Sequence, residues 1–119
     1  MQIGIIDYGD VNTCSGNLNS IKNCLLYIGA KTKFISNPEE VLKSDKIILP
    51  GVGATSHMMN NLKSKYLDHA LKEAVFKKGI PLLGICAGMQ IMASNLTEFG
   101  DHEGLGWIKG NVVHLQNNL

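Results

Sequence analysis

Cys86 lies in the run Pro81-Leu82-Leu83-Gly84-Ile85-Cys86-Ala87-Gly88-Met89-Gln90, where an apolar, strand-like stretch meets a thiol with glycines two residues before and two after. This is the layout of a nucleophile elbow, a sharp strand-to-helix turn that exposes a reactive side chain. The residue at its tip has strained backbone, and glycine on either side lets strand and helix approach closely. A helix starting at Ala87 aims N–H groups at the sulfur, and its positive end favours thiolate, the nucleophilic form, over thiol. The same pattern also suits a buried structural cysteine, because free Cys is among the most buried residue types.

The elements that must hold such a turn can be read along the chain. Short β-branched runs alternate with helical patterns, which is the mark of an α/β domain built on a parallel sheet. Residues 3–7 read as a buried strand, followed by a polar, glycine-punctuated loop. Asn17 can then cap a helix with an apolar stripe at Leu18, Ile21, Leu25 and Ile28, stopped by Gly29. Residues 32–35 are a second strand. Asn37-Pro38-Glu39-Glu40 combines an N-cap, a proline at the first helical position and a glutamate at the third, which predicts a short helix through Leu42. Residues 46–49 are a third strand, running into Pro50-Gly51-Val52-Gly53, where proline removes a donor and two glycines permit unusual backbone angles. A helical region follows to Gly79, interrupted near residues 63–65, and residues 81–85 form a fourth strand. Cys86 therefore stands at a strand's carboxyl end, the edge at which open α/β sheets bind ligands. Residues 101–107 read as loop and residues 111–115 as a strand with polar flanks.

Composition narrows the function classes. A chain of 119 residues makes one domain and buries roughly two-thirds of its unfolded surface. Its formal charge of +1, from 11 basic and 10 acidic residues, creates no field that would recruit nucleic acid or an anionic membrane. No apolar run approaches the roughly 20 residues of a membrane span, and the first residues lack the basic region of a signal peptide, so the expected location is the cytoplasm. Three cysteines in no Cys-x-x-Cys spacing imply neither a disulfide framework nor a zinc site. Cys24 reads as core and Cys14 as a loop thiol.

The stretch Gly84-Ile85-Cys86-Ala87-Gly88-Met89-Gln90 resembles the nucleophile elbow of class I glutamine amidotransferases, and Leu49-Pro50-Gly51-Val52-Gly53 resembles their oxyanion strand. Ile5-Ile6-Asp7-Tyr8-Gly9, Gly16-Asn17-Leu18 and the segment from Gly104-Leu105-Gly106 to Val112-Val113 resemble one branch in particular, the glutaminase subunits that serve histidine biosynthesis. The resemblance implies a flavodoxin-like three-layer α/β domain, of which residues 1–119 are the N-terminal part, apparently truncated. It implies Cys86 as the nucleophile that attacks the side-chain amide of glutamine and forms a γ-glutamyl thioester with release of ammonia. The oxyanion donors are then the N–H of Ala87 and one from Gly51 or Val52, on a strand whose peptide can flip in the family. Gly53 and Gln90 become substrate-binding residues, since Gln90 lies four residues beyond Cys86 on the same helix face. The implied partner is a (β/α)₈ synthase or cyclase subunit that accepts the ammonia, in a heterodimer, with no metal and no organic cofactor. Amidotransferases for surface-sugar biosynthesis share these motifs.

Two departures stand out. Six residues, Asp10-Val11-Asn12-Thr13-Cys14-Ser15, separate Gly9 from Gly16 where the family has one, and Ala87 replaces the usual leucine. A thiol nucleophile also needs a base, normally a histidine oriented by a carboxylate. The family draws that pair from further strands well downstream of the elbow, and none is present here. Of the four histidines, His57 and His69 read as solvated helix residues, His102 as a loop residue and His114 as a strand-surface residue. The expectation is a nucleophile and oxyanion strand without their base, inactive alone. A non-catalytic interaction protein with the same fold is the competing reading, and a cysteine-dependent redox or stress protein is a third that gives Gln90 and Pro50-Gly51-Val52-Gly53 no role.

Overall fold

Four strands, β1 (Gln2–Ile6), β2 (Lys31–Ile35), β3 (Lys46–Leu49) and β4 (Leu82–Gly84), form an entirely parallel sheet in the order β2-β1-β3-β4. The structure is a computed structural model and describes residues 1–9 and 15–118. Ile5 pairs with Phe34 on one side and Ile48 on the other, and Leu49 pairs with Gly84 at the carboxyl end. Parallel neighbours need crossovers. They are supplied by α1 (Ser15–Tyr27), α2 (Pro38–Leu42), and, between β3 and β4, α3 (Thr55–Ser64), α4 (Leu67–Lys72) and a π-helical turn (Glu73–Lys77). Because β2 lies on one side of β1, and β3 and β4 on the other, strand order reverses between β1 and β3. That is the switch point at which the carboxyl ends of such sheets open a crevice.

Adjacent residues of one strand point to opposite faces, yet Ile5 and Ile6 are both fully buried, as are Ile47 and Leu49 with Ile48 between them. Both faces of the sheet are therefore covered, which makes the domain three-layered and explains strands that read as continuous apolar runs. Met58, Leu62, Leu67 and Leu71 from α3 and α4 complete the centre of the core, with Val41 from α2. The break between α3 and α4 falls at Lys65 and Tyr66, and Tyr66 takes the left-handed conformation at φ +57.

α2 starts as expected: the Asn37 side chain accepts from the Glu40 N–H at 3.0 Å and Pro38 opens the helix. α1 also stops as expected, for Gly29 has φ +84, its N–H donates to the Leu26 carbonyl, and the Ala30 N–H donates to that of Leu25. Its beginning differs. The helix starts at Ser15, so Asn17 sits inside the first turn rather than capping it. The loop reading of residues 10–14, including Cys14 and most of the inserted segment, lies outside the described residues.

Cys24 is exposed, not core. Leu18 is buried and Ile21 and Leu25 half-buried, and at 3.6 residues per turn Cys24 lies about 90° off the centre of that stripe. Ile28 is also exposed, because the helix ends at Tyr27 and the turn at Gly29 carries it off the sheet.

After β4, a single helical turn, α5 (Ala87–Gln90), leads into a second sheet of β5 (Ala93–Thr97), β6 (Asp101–Glu103) and β7 (Ile108–Val112) in the order β6-β5-β7. This corrects two expectations. Residues 101–107 contain a strand, β6, antiparallel to β5, and the last strand is residues 108–112 rather than 111–115. The signals were weak because only Leu96 of β5 is fully buried and β7 is mostly exposed. A polar, shallowly buried strand has no alternating apolar pattern to read. Among the described residues no helix is long and apolar enough to cross a membrane.

Candidate active site

Cys86 links β4 to α5 with φ +55 and ψ −119, one of three non-glycine residues with positive φ among those described. A β-carbon on Gly84 would meet Met92 Cε at 2.5 Å and the Gly88 carbonyl oxygen at 2.9 Å, and one on Gly88 would run into the Leu49 carbonyl. Both flanking glycines are thus demanded by close approach of strand and helix, and the tip residue carries the strain of the turn. The thiol is exposed at the sheet's carboxyl edge.

The donors around it are not free as the sequence suggested. The Gly88 N–H donates to the Ile85 carbonyl at 2.9 Å, and those of Met89 and Gln90 to the Cys86 carbonyl at 2.9 and 3.1 Å. The Ala87 N–H donates to the Gly51 carbonyl at 3.3 Å. Helix α5 is one turn long, so the N–H groups of Gly88, Met89 and Gln90 are used in closing the turn itself.

Leu49 and Gly84 are register partners, and this places Pro50-Gly51-Val52-Gly53 directly beside the elbow. A β-carbon on Gly51 would meet the Gly88 nitrogen and Met58 Sδ at 2.7 Å and Ala87 Cβ at 2.9 Å, so only glycine brings this segment so close. Since a peptide is planar with N–H and C=O opposed, the Gly51 carbonyl aimed at Ala87 turns the Val52 N–H away from it. Gly53 follows with φ +88, exposed, with nothing near its α-carbon to hinder a change. Tyr8 is buried and donates its hydroxyl hydrogen to the Pro50 carbonyl at 3.1 Å.

Gln90 lies one helical turn beyond the elbow and lines a cavity of about 670 Å³ together with Thr55, Leu96, Glu98, Phe99 and His114. Sequence reasoning missed Glu98. Its Oε1 accepts from the Thr55 N–H at 2.8 Å and the Thr55 hydroxyl at 3.3 Å, which caps α3 from 43 residues away. The negative carboxylate also suits the positive end of that helix. No spacing in the sequence signals this contact. The neighbouring Phe99 is 90% exposed with φ +54, a strained position at the mouth of the cavity.

The histidines are dispersed. His57 is exposed on α3, and the exposed His69 on α4 lies 3.9 Å from Asp68. His102 is on β6, not in a loop, and its Nε2 lies 2.9 Å from the Glu98 carbonyl oxygen. His114 follows β7 instead of standing on it, and its Nδ1 accepts from the Gln116 N–H at 3.3 Å. Among the described residues no group of His, Cys, Asp and Glu could hold a metal ion.

Comparison with known proteins adds an independent line. The sequence profile of the CobB/CobQ-like glutamine amidotransferase domain matches residues 2–118. The imidazole glycerol phosphate synthase subunit HisH of Zymomonas mobilis is 47% identical over 120 residues, covering 98% of this chain and 54% of that protein. The same subunit of Dehalococcoides mccartyi is 43% identical, with 98% and 54% covered. The chain thus spans about half the length of these curated relatives. A solved glutamine amidotransferase superposes with a TM-score of 0.73 at 19% identity, covering 92% of this chain and 54% of that one. A Listeria monocytogenes protein described as a peptidase E gives 0.73 at 17%, covering 90% and 62%. At such identities these two show the fold.

Proposed function

The chain belongs to the CobB/CobQ-like glutamine amidotransferase domain family, and from that we propose that the complete protein hydrolyses glutamine at Cys86 and passes the ammonia to a synthase partner. In this reading residues 1–119 form part of an amidotransferase domain, since the chain spans about half the length of its relatives. One observation carries the reading: an exposed cysteine in a strained elbow, packed against a glycine-rich strand whose carbonyl meets the N–H next to the nucleophile.

The chemistry follows from those groups. The Cys86 thiolate attacks the side-chain amide carbon, the carbonyl oxygen becomes an oxyanion, and the C–N bond breaks as the nitrogen leaves protonated, as ammonia. Water then cleaves the thioester to glutamate. In the present conformation the Gly51 carbonyl occupies the Ala87 donor. Rotating the Gly51–Val52 peptide withdraws that oxygen and brings in the Val52 N–H, so two donors converge on the oxyanion. Gln90 and Glu98 line one cavity, whose lining does not include Cys86, and in this reading they offer an amide and a carboxylate to the amino-acid end of glutamine. Gly53 supplies backbone to the same end. The base that activates water and protonates the leaving group comes from the rest of the protein.

Relatives named as the HisH subunit of imidazole glycerol phosphate synthase support this reading, which puts the complete protein in histidine biosynthesis, in the cytoplasm, with a (β/α)₈ cyclase as ammonia acceptor. The test is glutamate release by the complete protein with that partner. Cys86→Ser lowers turnover at least about 10³-fold, and a diazo-ketone analogue of glutamine modifies Cys86 alone. Turnover that survives Cys86→Ser would refute the proposal.

A further inference from the structure

Tyr8 follows β1 and Pro50 follows β3, so the hydrogen bond between them spans the switch point of the sheet. Tyr8 is 3% exposed. Three successive carbonyls lead into the candidate oxyanion segment, and each has a donor: Leu49 from the Ile85 N–H at 3.0 Å, Pro50 from the Tyr8 hydroxyl at 3.1 Å, and Gly51 from the Ala87 N–H at 3.3 Å. The first and third donors are backbone groups of the elbow. Tyr8 alone among the three is a side chain, and it lies beyond the end of a different strand.

We propose that Tyr8 is a positioning residue for this segment: its hydroxyl holds the Pro50–Gly51 peptide still, so that rotation is confined to the Gly51–Val52 peptide. A peptide plane turns about the single bonds on either side of it, and an unheld neighbouring plane shares the motion. An oxyanion donor acts only when it arrives about 2.7–3.1 Å from the developing charge, and a shared rotation misses that mark. At the far end, the Glu98 grip on the Thr55 N–H at 2.8 Å fixes the start of α3. The segment is thereby anchored at both ends with its two glycines between. A buried carbonyl stripped of its donor seeks another partner, and for Pro50 that search displaces the very plane that must stay fixed. What the rotation achieves rests on the proposed glutaminase reading; the anchoring does not.

The experiment compares Tyr8→Phe, which keeps the ring in the core, with the unaltered complete protein and its partner. Amide hydrogen exchange by mass spectrometry at residues 51–54 should rise roughly five- to thirty-fold, with residues 88–91 unchanged. Glutaminase kcat should fall by a similar factor while KM stays within about twofold. Unchanged exchange, a rise spread over β1 and β3, or a local rise with unaltered kcat each overturns the proposal. If exchange rises locally but the unaltered protein turns over no glutamine, the anchor stands and the glutaminase reading falls. If turnover depends on Cys86 and Tyr8→Phe changes neither readout, only the Tyr8 proposal falls.

Discussion

A methyl group added at Gly88 would run into the Leu49 carbonyl, and one at Gly79 would meet nothing within 4 Å although its φ is +67. The two glycines serve different ends, close approach in one case and a left-handed turn in the other. Gly88→Ala should therefore cost at least about 2 kcal/mol, because backbone must move, and Gly79→Ala roughly 1 kcal/mol. Urea denaturation of both variants measures the difference. The same distinction decides how to probe the oxyanion segment. At Gly51 a larger side chain collides with Gly88, Met58 and Ala87, so Gly51→Val loses stability along with turnover. Gly53 has free space but φ +88, which makes Gly53→Val the cleaner probe. In the complete protein it should lower glutamine turnover about 10²-fold, while the loss of stability stays near roughly 1–2 kcal/mol.

At the scale of elements, α2 shows how a five-residue helix is held. Asn37 caps it, Pro38 sets its first angle, Glu39 and Glu40 sit in its first turn, and Val41 is fully buried. Asn37→Ala should lower stability by about 1 kcal/mol, read from the midpoint of chemical denaturation. Glu40 also bonds Lys33 of β2 at 3.0 Å, and that bond holds its carboxyl below the usual range. A lowered folded-state value means that its contribution is present above the unfolded carboxyl's value and is lost as pH falls through the folded one. Glu40→Gln should therefore weaken the fold near neutral pH and make no difference in strong acid. The effect is small and fades at high salt, since the pair is solvated.

For the whole molecule, the outer edge of β4 has no partner strand among the described residues, and Leu83 beside it is 59% exposed. Ile85 and Met89, flanking the elbow, are exposed as well. The nucleophile thus stands beside an uncovered edge of the sheet, and among the described residues no histidine and carboxylate are brought together against it. The 119-residue chain assayed alone should release glutamate at least about 10² times more slowly than the complete protein, for want of general acid–base catalysis. Equal rates would show that His57, His69, His102 or His114 serves as the base. Hydrogen exchange should follow the same gradient, slowest in β1 and β3 at the centre and faster in β4.

Local rules determined what the sequence alone could settle. The paired glycines around Cys86, the Asn37 cap, the Gly29 stop and the apolar runs of β1 and β3 each act within a few residues, and such signals survive translation into structure. The bounds of α1 and the polar strands β5 to β7 were legible only in part, because shallow burial leaves no period to follow. Tertiary structure alone decided the rest. It turned Cys24 to solvent, set the Gly51 carbonyl against Ala87, brought Tyr8 to Pro50 and set Glu98 on Thr55. The last two contacts join residues 42 and 43 positions apart. No periodicity reaches that far; for Tyr8, the order β2-β1-β3-β4 places the ends of β1 and β3 side by side, and there it meets the Pro50 carbonyl.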